Sequence, residues 1–514
     1  MVWIQGNLNS GDAIRSETVV KNVARTRQRR TPAARRSFDA ANTSDIYASW
    51  TSTSITPDEL VYRSLRTLRA RSRKLFASND MAQSFLKMCR NHIVGDKGVR
   101  FCPKARDTAG TLDERANSAL SRAWAVWGRN GYCDYKGKHD DASFDRLIIN
   151  TVAVDGEAFI EELPGKDSAV SFRLYDPETV PLDYNKARGT GQNLIRFGIE
   201  YDKHDRPIAY YFRDRDGDIT FNTGYEARNL RLQRIPAKRI QHVFIQDRVD
   251  LRRGFPWMSA SMIRFHMLGK FEDTAIQNAI AGASKVGIIS GEGSDEIIDG
   301  IDDEGQRIME TEHVGLYTTE GEIDFHTFDS KYPSTEYEPF IKTNTMFLAA
   351  GVGVNYHSLS GDLSGVNYSS LKHGTSEERE NWKTLQAWFI FDWKRPQYNR
   401  WLKTNLLVGI KIPGGGTLKV QNIEKYQEIE FYGRRWIGPD PLKESSANVI
   451  NARANFTSPQ RIIMERGDDP TEVIEEIAEY YARMRELNIP VEVGANVINI
   501  NMGDENGQQN NKTD

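Results

Sequence analysis

Residues able to do chemistry are present in this chain, but their spacing assembles no recognisable reaction centre. Asp302-Asp303-Glu304 offers the oxygen donors a hard cation takes, yet the run sits in a polar stretch and reads as an exposed acidic turn. Ser360, Ser364, Ser369 and Ser370 are flanked by His357 and His373, the types a nucleophile and its base would use. No His–acid pair stands near them. Cys89, Cys102 and Cys133 lie far apart without a CxxC pair, so neither a disulfide framework nor a structural zinc is expected. The chain has no GxxxxGK[ST] phosphate cradle, no HExxH and no GxSxG elbow. The expectation is no catalytic residue, no metal and no cofactor: a protein of assembly, not an enzyme.

The 514 residues exceed a single domain several-fold, and 39% hydrophobic residues with 40 glycines give an ordinary globular composition. No apolar run approaches the roughly 18–20 residues of a membrane span, and the first residues lack a secretory layout. A soluble protein of a reducing cytoplasm is expected. Net charge is −3, but charge is segregated. Residues 21–36 and 63–74 are basic, whereas 292–312 is dominated by Asp and Glu.

The elements follow from periodicity and punctuation. Residues 1–56 read as a mobile basic arm. Pro57, Asp58 and Glu59 open a helix. A second starts at Asn79 or Asp80 and stops at Gly95, with His92 and Cys89 as core or boundary residues, and a third spans 111–128. Helix passing into strand is expected over 144–160, and strands over 172–184, 194–201 and 207–212, making an α+β region that ends near Val249. A helix of about 40 Å is expected over 257–283, and its partner over 334–350 with Gly351 as cap. Short strands are expected at 286–289, 315–317 and 323–328. Residues 352–370 read as a long loop, 377–401 as a Trp-rich helix broken at Pro396, and three helices at 441–451, 458–466 and 470–487. The tail from Glu492 reads as disordered.

Several of these stretches are similar to one known family. Tyr332–Phe340 (YPSTEYEPF), Ala349–Ser370 (AAGVGVNYHSLSGDLSGVNYSS), Glu377–Gln386 (EERENWKTLQ), Arg253-Gly254 with Pro256, and Trp436–Glu444 (WIGPDPLKE) resemble the lambda-type portal proteins of tailed bacteriophages. The resemblance covers about residues 64–487. It implies an elongated α+β subunit, with wing, two-helix stem, inserted α/β clip and helical crown, in a dodecameric ring at one capsid vertex that conducts double-stranded DNA. Mapped onto this chain, 57–250 is wing, 257–283 and 334–351 the stem, and 286–331 the clip. Residues 352–370 are the channel loop, 371–440 a wing–crown connection and 441–490 the crown.

The resemblance also implies partners: further copies of itself, the terminase large subunit, head-completion or connector proteins, and the major capsid protein with scaffold. No membrane is involved, and the expected place is the virion, after assembly in the host cytoplasm. Docking is expected at Asp295, Glu296, Asp302, Asp303 and Glu304. Residues 352–370 hold no Lys or Arg, so transient DNA contact with weak salt dependence is expected through Asn355, Tyr356, Ser360, Asp362, Ser364, Asn367 and Tyr368. Arg66, Arg69 and Arg73 share a helical face and are expected to meet packaged DNA, an acidic neighbour or solvent. The alternatives are a minor capsid or head–tail adaptor protein without a channel, and a packaging ATPase. The adaptor would lack long stem helices, and the ATPase would need a phosphate cradle.

Overall fold

A computed structural model describes residues 54–489, except 130, 166–169, 214–231, 284–286, 292–299, 302–306, 309–322, 328–334, 366, 437–440, 467 and 469. The chain divides after Thr56, and every element below belongs to the unit beginning at Pro57. Nearly all of the expected arm, the tail, and the acids Asp295, Glu296, Asp302, Asp303 and Glu304 lie outside the described residues.

Helix α1 (Pro57–Ser78) opens on Pro57 with Asp58 and Glu59 in its first turn. In α2 (Asp80–Cys89) the Asn79 side chain accepts from the Ala82 amide at 2.9 Å, and the helix widens into a π-turn, Arg90–Val94, that ends on Gly95. Strand β1 (Arg100–Pro103) leads to α3 (Glu114–Trp127) and α4 (Asp141–Asp155), capped by Asp113 and Asp140. Gly156 then adopts φ +92° and the chain enters β2 (Glu157–Pro164).

There follow β3 (Val170–Tyr175), β4 (Leu194–Arg196), β5 (Ile199–Tyr201), β6 (Pro207–Arg213), β7 (Leu232–Pro236) and β8 (Ile240–Phe244). The strand expected to reach Tyr184 stops at Tyr175, because Pro177 has no N–H for a ladder and opens a 3-10 turn instead. Two antiparallel sheets result, in the orders β3-β2-β8 and β4-β5-β6-β7. Phe159, Ile199, Tyr210, Phe212 and Ile235 join them in one apolar cluster.

Helix α5 (Met262–Ala283) starts five residues later than expected, after turns over 257–261. Its 22 residues span about 33 Å, not 40. Beyond it come β9 (Gly287–Gly291), β10 (Gly300–Ile301), β11 (Arg307–Ile308) and β12 (Ile323–Thr327). Gly287 pairs opposite Thr327 in the antiparallel β9–β12 ladder, so the inserted segment leaves and returns side by side. The strand expected at 315–317 lies outside the described residues.

The chain returns in α6 (Tyr337–Val352), a short α7 (Tyr356–Ser360) and α8 (Tyr368–Phe389). A π-turn, Ile390–Lys394, joins α8 to α9 (Arg395–Val408), where the break near Pro396 was expected. Pro396 cannot donate to the Asp392 carbonyl four residues back, and the Gln241 side-chain Nε2 of β8 donates to that oxygen instead, at 2.7 Å. Trp393 and Trp401 are wholly buried, so the Trp-rich stretch is core. After α10 (Ile423–Tyr426), β13 (Ile429–Tyr432) pairs antiparallel with β1, Phe431 opposite Phe101. The last helices are α11 (Pro441–Arg453), α12 (Pro459–Arg466) and α13 (Pro470–Glu486), close to expectation.

Candidate functional site

The helix pair α5–α6 is antiparallel. Moving up the chain from Ser261, Arg264 lies 4.8 Å over the Phe347 ring, and Phe271 lies 4.9 Å from Phe340 and 5.9 Å from Tyr337. At the base, a Cβ on Gly351 would sit 2.1 Å from Ser261 Oγ. Gly351 is therefore not the expected cap. It is a contact point inside α6, which ends two residues later on Gly353 at φ +75°. Phe265, Leu268 and Leu348 face the core. Other large apolar side chains stay exposed, interspersed with the exposed polar residues His266, Lys270 and Gln277: Ile263 (72%), Met267, Ile276 and Ile280 on α5, and Phe340, Met346 and Phe347 on α6.

Residues 353–367 are not the open loop expected from their Gly, Asp and Ser content. Hydroxyls that could have faced a ligand are committed within the segment. Asp362 accepts from the Ser364 amide (2.8 Å) and hydroxyl (2.6 Å) and from the Tyr356 hydroxyl (2.8 Å). Those donors hold its carboxyl at about 2. Ser360 donates to the Tyr356 carbonyl and accepts from the Asp362 amide, while Asn367 caps α8 through the Ser369 amide. Glu378 of α8 anchors the other end, accepting from the Asn355 amide (3.3 Å), Ser358 (2.7 Å) and the Trp382 indole (3.0 Å). Of the seven residues expected to face DNA, Asn355, Tyr356, Ser360, Asp362 and Ser364 meet in this braced turn. Asn367 and Tyr368 begin α8.

A buried ionic knot fixes the start of α5. Glu157, at the head of β2, is wholly buried; Arg253 donates to it from Nε (2.7 and 2.9 Å), and Arg69, His242 (3.0 Å) and the Gly254 amide (3.1 Å) also contact it. Burial alone would raise its pKa, but Arg253 and Arg69 outweigh burial and hold it well below the usual range. Burial lowers His242, against the pull of Glu157. Arg253 also donates to the Phe197 carbonyl at 2.8 Å. The backbones touch here: a Cβ on Gly254 would lie 2.0 Å from the Gly156 oxygen.

The expected basic face divides accordingly. Arg69 is buried on Glu157, and Arg73 binds Asp155 (2.7 Å) and Asp176 (2.6 Å), so neither is a free DNA contact; their acidic neighbour lies in the same chain. Only Arg66 is exposed. The spacing held the signal, since Arg69 continues the buried stripe of Val61 and Leu65 by one turn. Glu157 and His242 escaped notice because nothing local marks an acid after a glycine as the centre of four elements. His92 is a half-buried boundary residue, within the expectation of core or boundary: it stacks on Trp382 at 5.0 Å and its Nδ1 accepts from the Trp436 indole at 2.9 Å.

Among the described residues no cluster of His, Cys, Asp and Glu could hold a metal ion, and no helix is long and apolar enough to cross a membrane. A braced helix pair with an inserted segment, carried on a mixed α/β body, defines a structural subunit. Residues 43–386 match the family described as phage portal protein, lambda family. The chain belongs to that family.

It is 29% identical over 473 residues to a probable portal protein of Halomonas phage phiHAP-1, covering 90% of this chain and 89% of that protein. It is 20% identical over 459 residues to portal protein B of Escherichia phage lambda, covering 83% and 85%. Among solved structures it is similar to a chain from the virion of a native gene transfer agent particle, at 13% identity and TM-score 0.39, covering 82% of this chain and 97% of that one. At that score the likeness is too loose to place any residue.

Proposed function

We propose that copies of this chain close into a dodecameric ring at one vertex of a tailed-phage capsid, with α5 and α6 beside the bore through which double-stranded DNA is packaged and later ejected. The supporting observation is the number of large apolar side chains left exposed along that helix pair. A monomer gains nothing from leaving Ile263, Met267, Ile276, Ile280 and Phe347 in water. Heterologous contacts that close around an axis cover such side chains in every subunit. Residues 57–250 form the wing, 286–331 the clip, 352–370 the narrowing of the bore and 441–490 the crown.

The role is structural, not catalytic. The clip acids Asp295, Glu296, Asp302, Asp303 and Glu304 dock the terminase large subunit and then head-completion or connector proteins, while the body contacts major capsid protein and scaffold and nucleates the procapsid. The turn suits a conduit. It offers no Lys or Arg of its own to neutralise phosphates, and its hydroxyls donate to Asp362, Glu378 and the Tyr356 carbonyl, so a duplex passes with weak contact and weak salt dependence.

Negative-stain images of the purified protein test this reading. Annular top views with a central hole are expected, and Ile263→Lys with Met267→Lys should abolish them. Compact particles without a hole, at concentrations where rings of this size assemble, would refute it. For the clip, charge reversal at Asp295, Glu296, Asp302 and Asp303 should leave rings intact and stop packaging.

A further inference from the structure

Helix α1 carries a second set of cations on its outer side. Its inner face is used up by Arg69 and Arg73. Around the other side Arg63, Arg66, Arg71 and Lys74 are exposed. Arg63 pairs with Glu59, but no ion pair among the described residues reaches Arg66, Arg71 or Lys74. Arg63 and Arg66 also line an open cavity of about 720 Å³ with Arg213. The acids of that cavity are engaged, Glu178 by Arg73 (3.7 Å) and Asp183 by Arg213 (2.9 Å). Like charges three residues apart, Arg63 with Arg66 and Arg71 with Lys74, repel along the helix; Glu59 offsets Arg63, and no ion pair among the described residues offsets the other three.

We propose that this outer face of α1 binds the phosphate backbone of double-stranded DNA, at a surface separate from the channel turn. The face is about 16 Å long from Arg63 to Lys74, a length over which duplex DNA presents roughly nine phosphates. Three of its four cations are Arg, whose planar fork matches phosphate oxygens. A protein partner would need an apolar anchor at the centre of the patch. Tyr62 is the one large hydrophobic exposed on this helix. The chemistry therefore favours a polyanion held by charge alone, without sequence preference.

The test is fluorescence anisotropy of an about 30-bp duplex of arbitrary sequence with the full-length protein, titrated across roughly 50–200 mM salt. Removing three cations as Arg66→Gln, Arg71→Gln and Lys74→Gln should flatten the slope of log K against log salt by about 2.7. The charge-keeping pair Arg66→Lys and Arg71→Lys should retain the parent slope. Unchanged slope and affinity in the Gln variant overturn the proposal, as does loss of slope in the Lys variant. If the Gln variant loses its rings in micrographs along with binding, the face is an assembly surface and the proposal fails. Intact rings with weakened binding support it and leave the channel reading untouched.

Discussion

Replacing Glu157 by Gln removes one negative charge, with little change of shape, where two guanidinium groups converge. Glu157 and Arg253 are wholly buried and Arg69 is 1% exposed, so water cannot substitute for the lost charge. The carboxylate uses both oxygens. Oε1 accepts from Arg69 and Arg253, and Oε2 accepts from Arg253 and the Gly254 amide and contacts His242. A glutamine has one acceptor oxygen, so its NH2 must oppose either the Arg69 guanidinium or the Gly254 N–H. Breaking a buried ion pair by removing one partner costs about 3–5 kcal/mol.

With a denaturant slope of about 3 kcal/mol/M, the urea midpoint should fall by on the order of 1 M or more. The assay is urea unfolding at pH 7 followed by tryptophan fluorescence. The folded-state pKa of Glu157 is depressed, so its stabilisation is fully present at that pH and is lost only as pH falls through the folded value. Adding Arg69→Met to Glu157→Gln removes the surplus cation and should restore a substantial part of the loss, a non-additive result. A single variant within about 0.5 kcal/mol of the parent would refute the idea that charge compensation holds this junction. So would an Arg69→Met change that costs as much with Glu157→Gln as without it.

Gly254→Ala should be worse than an ordinary glycine replacement. Its Cβ would overlap the Gly156 carbonyl, and overpacking of this kind costs about 1–3 kcal/mol or more, read as a lower urea midpoint or loss of soluble protein. His92 is lowered to about 4, chiefly by burial, with Arg434 next. Its share of stability is present above the unfolded value near 6.5 and is lost as pH falls toward 4, so the stability–pH slope in that window should shrink in His92→Asn. Asp362→Ala removes the acceptor of three donors in the braced turn. Backbone amide exchange at Ser364 should then rise by about tenfold or more, and unchanged protection would show the turn to be held by other contacts.

Much of the element order was legible because its signals are local. Pro57, Asn79, Gly95 and Pro396 act on their own backbone within one turn of chain, and the structure honours each of them. Misreadings occurred where a local signal met a distant element. Gly351 looks like a helix cap until Ser261 is found against it. The polar 352–370 stretch looks like an open loop because sequence shows Asp362, Tyr356 and Ser364 as polar without showing that they satisfy one another.

By itself the sequence determined the class of protein. The long block around Ala349–Ser370, with Tyr332–Phe340 and Glu377–Gln386, carries the family resemblance, and each is a run of contiguous residues. Only the tertiary structure decided which charges are tools and which are fasteners. Arg66 and Arg69 are one helical turn apart and alike in type, yet one meets water and the other meets Glu157, 88 residues away. The cost of burying a charge depends on what the rest of the chain brings to it, and Glu157 and Arg253 come from parts of the sequence that no local pattern connects.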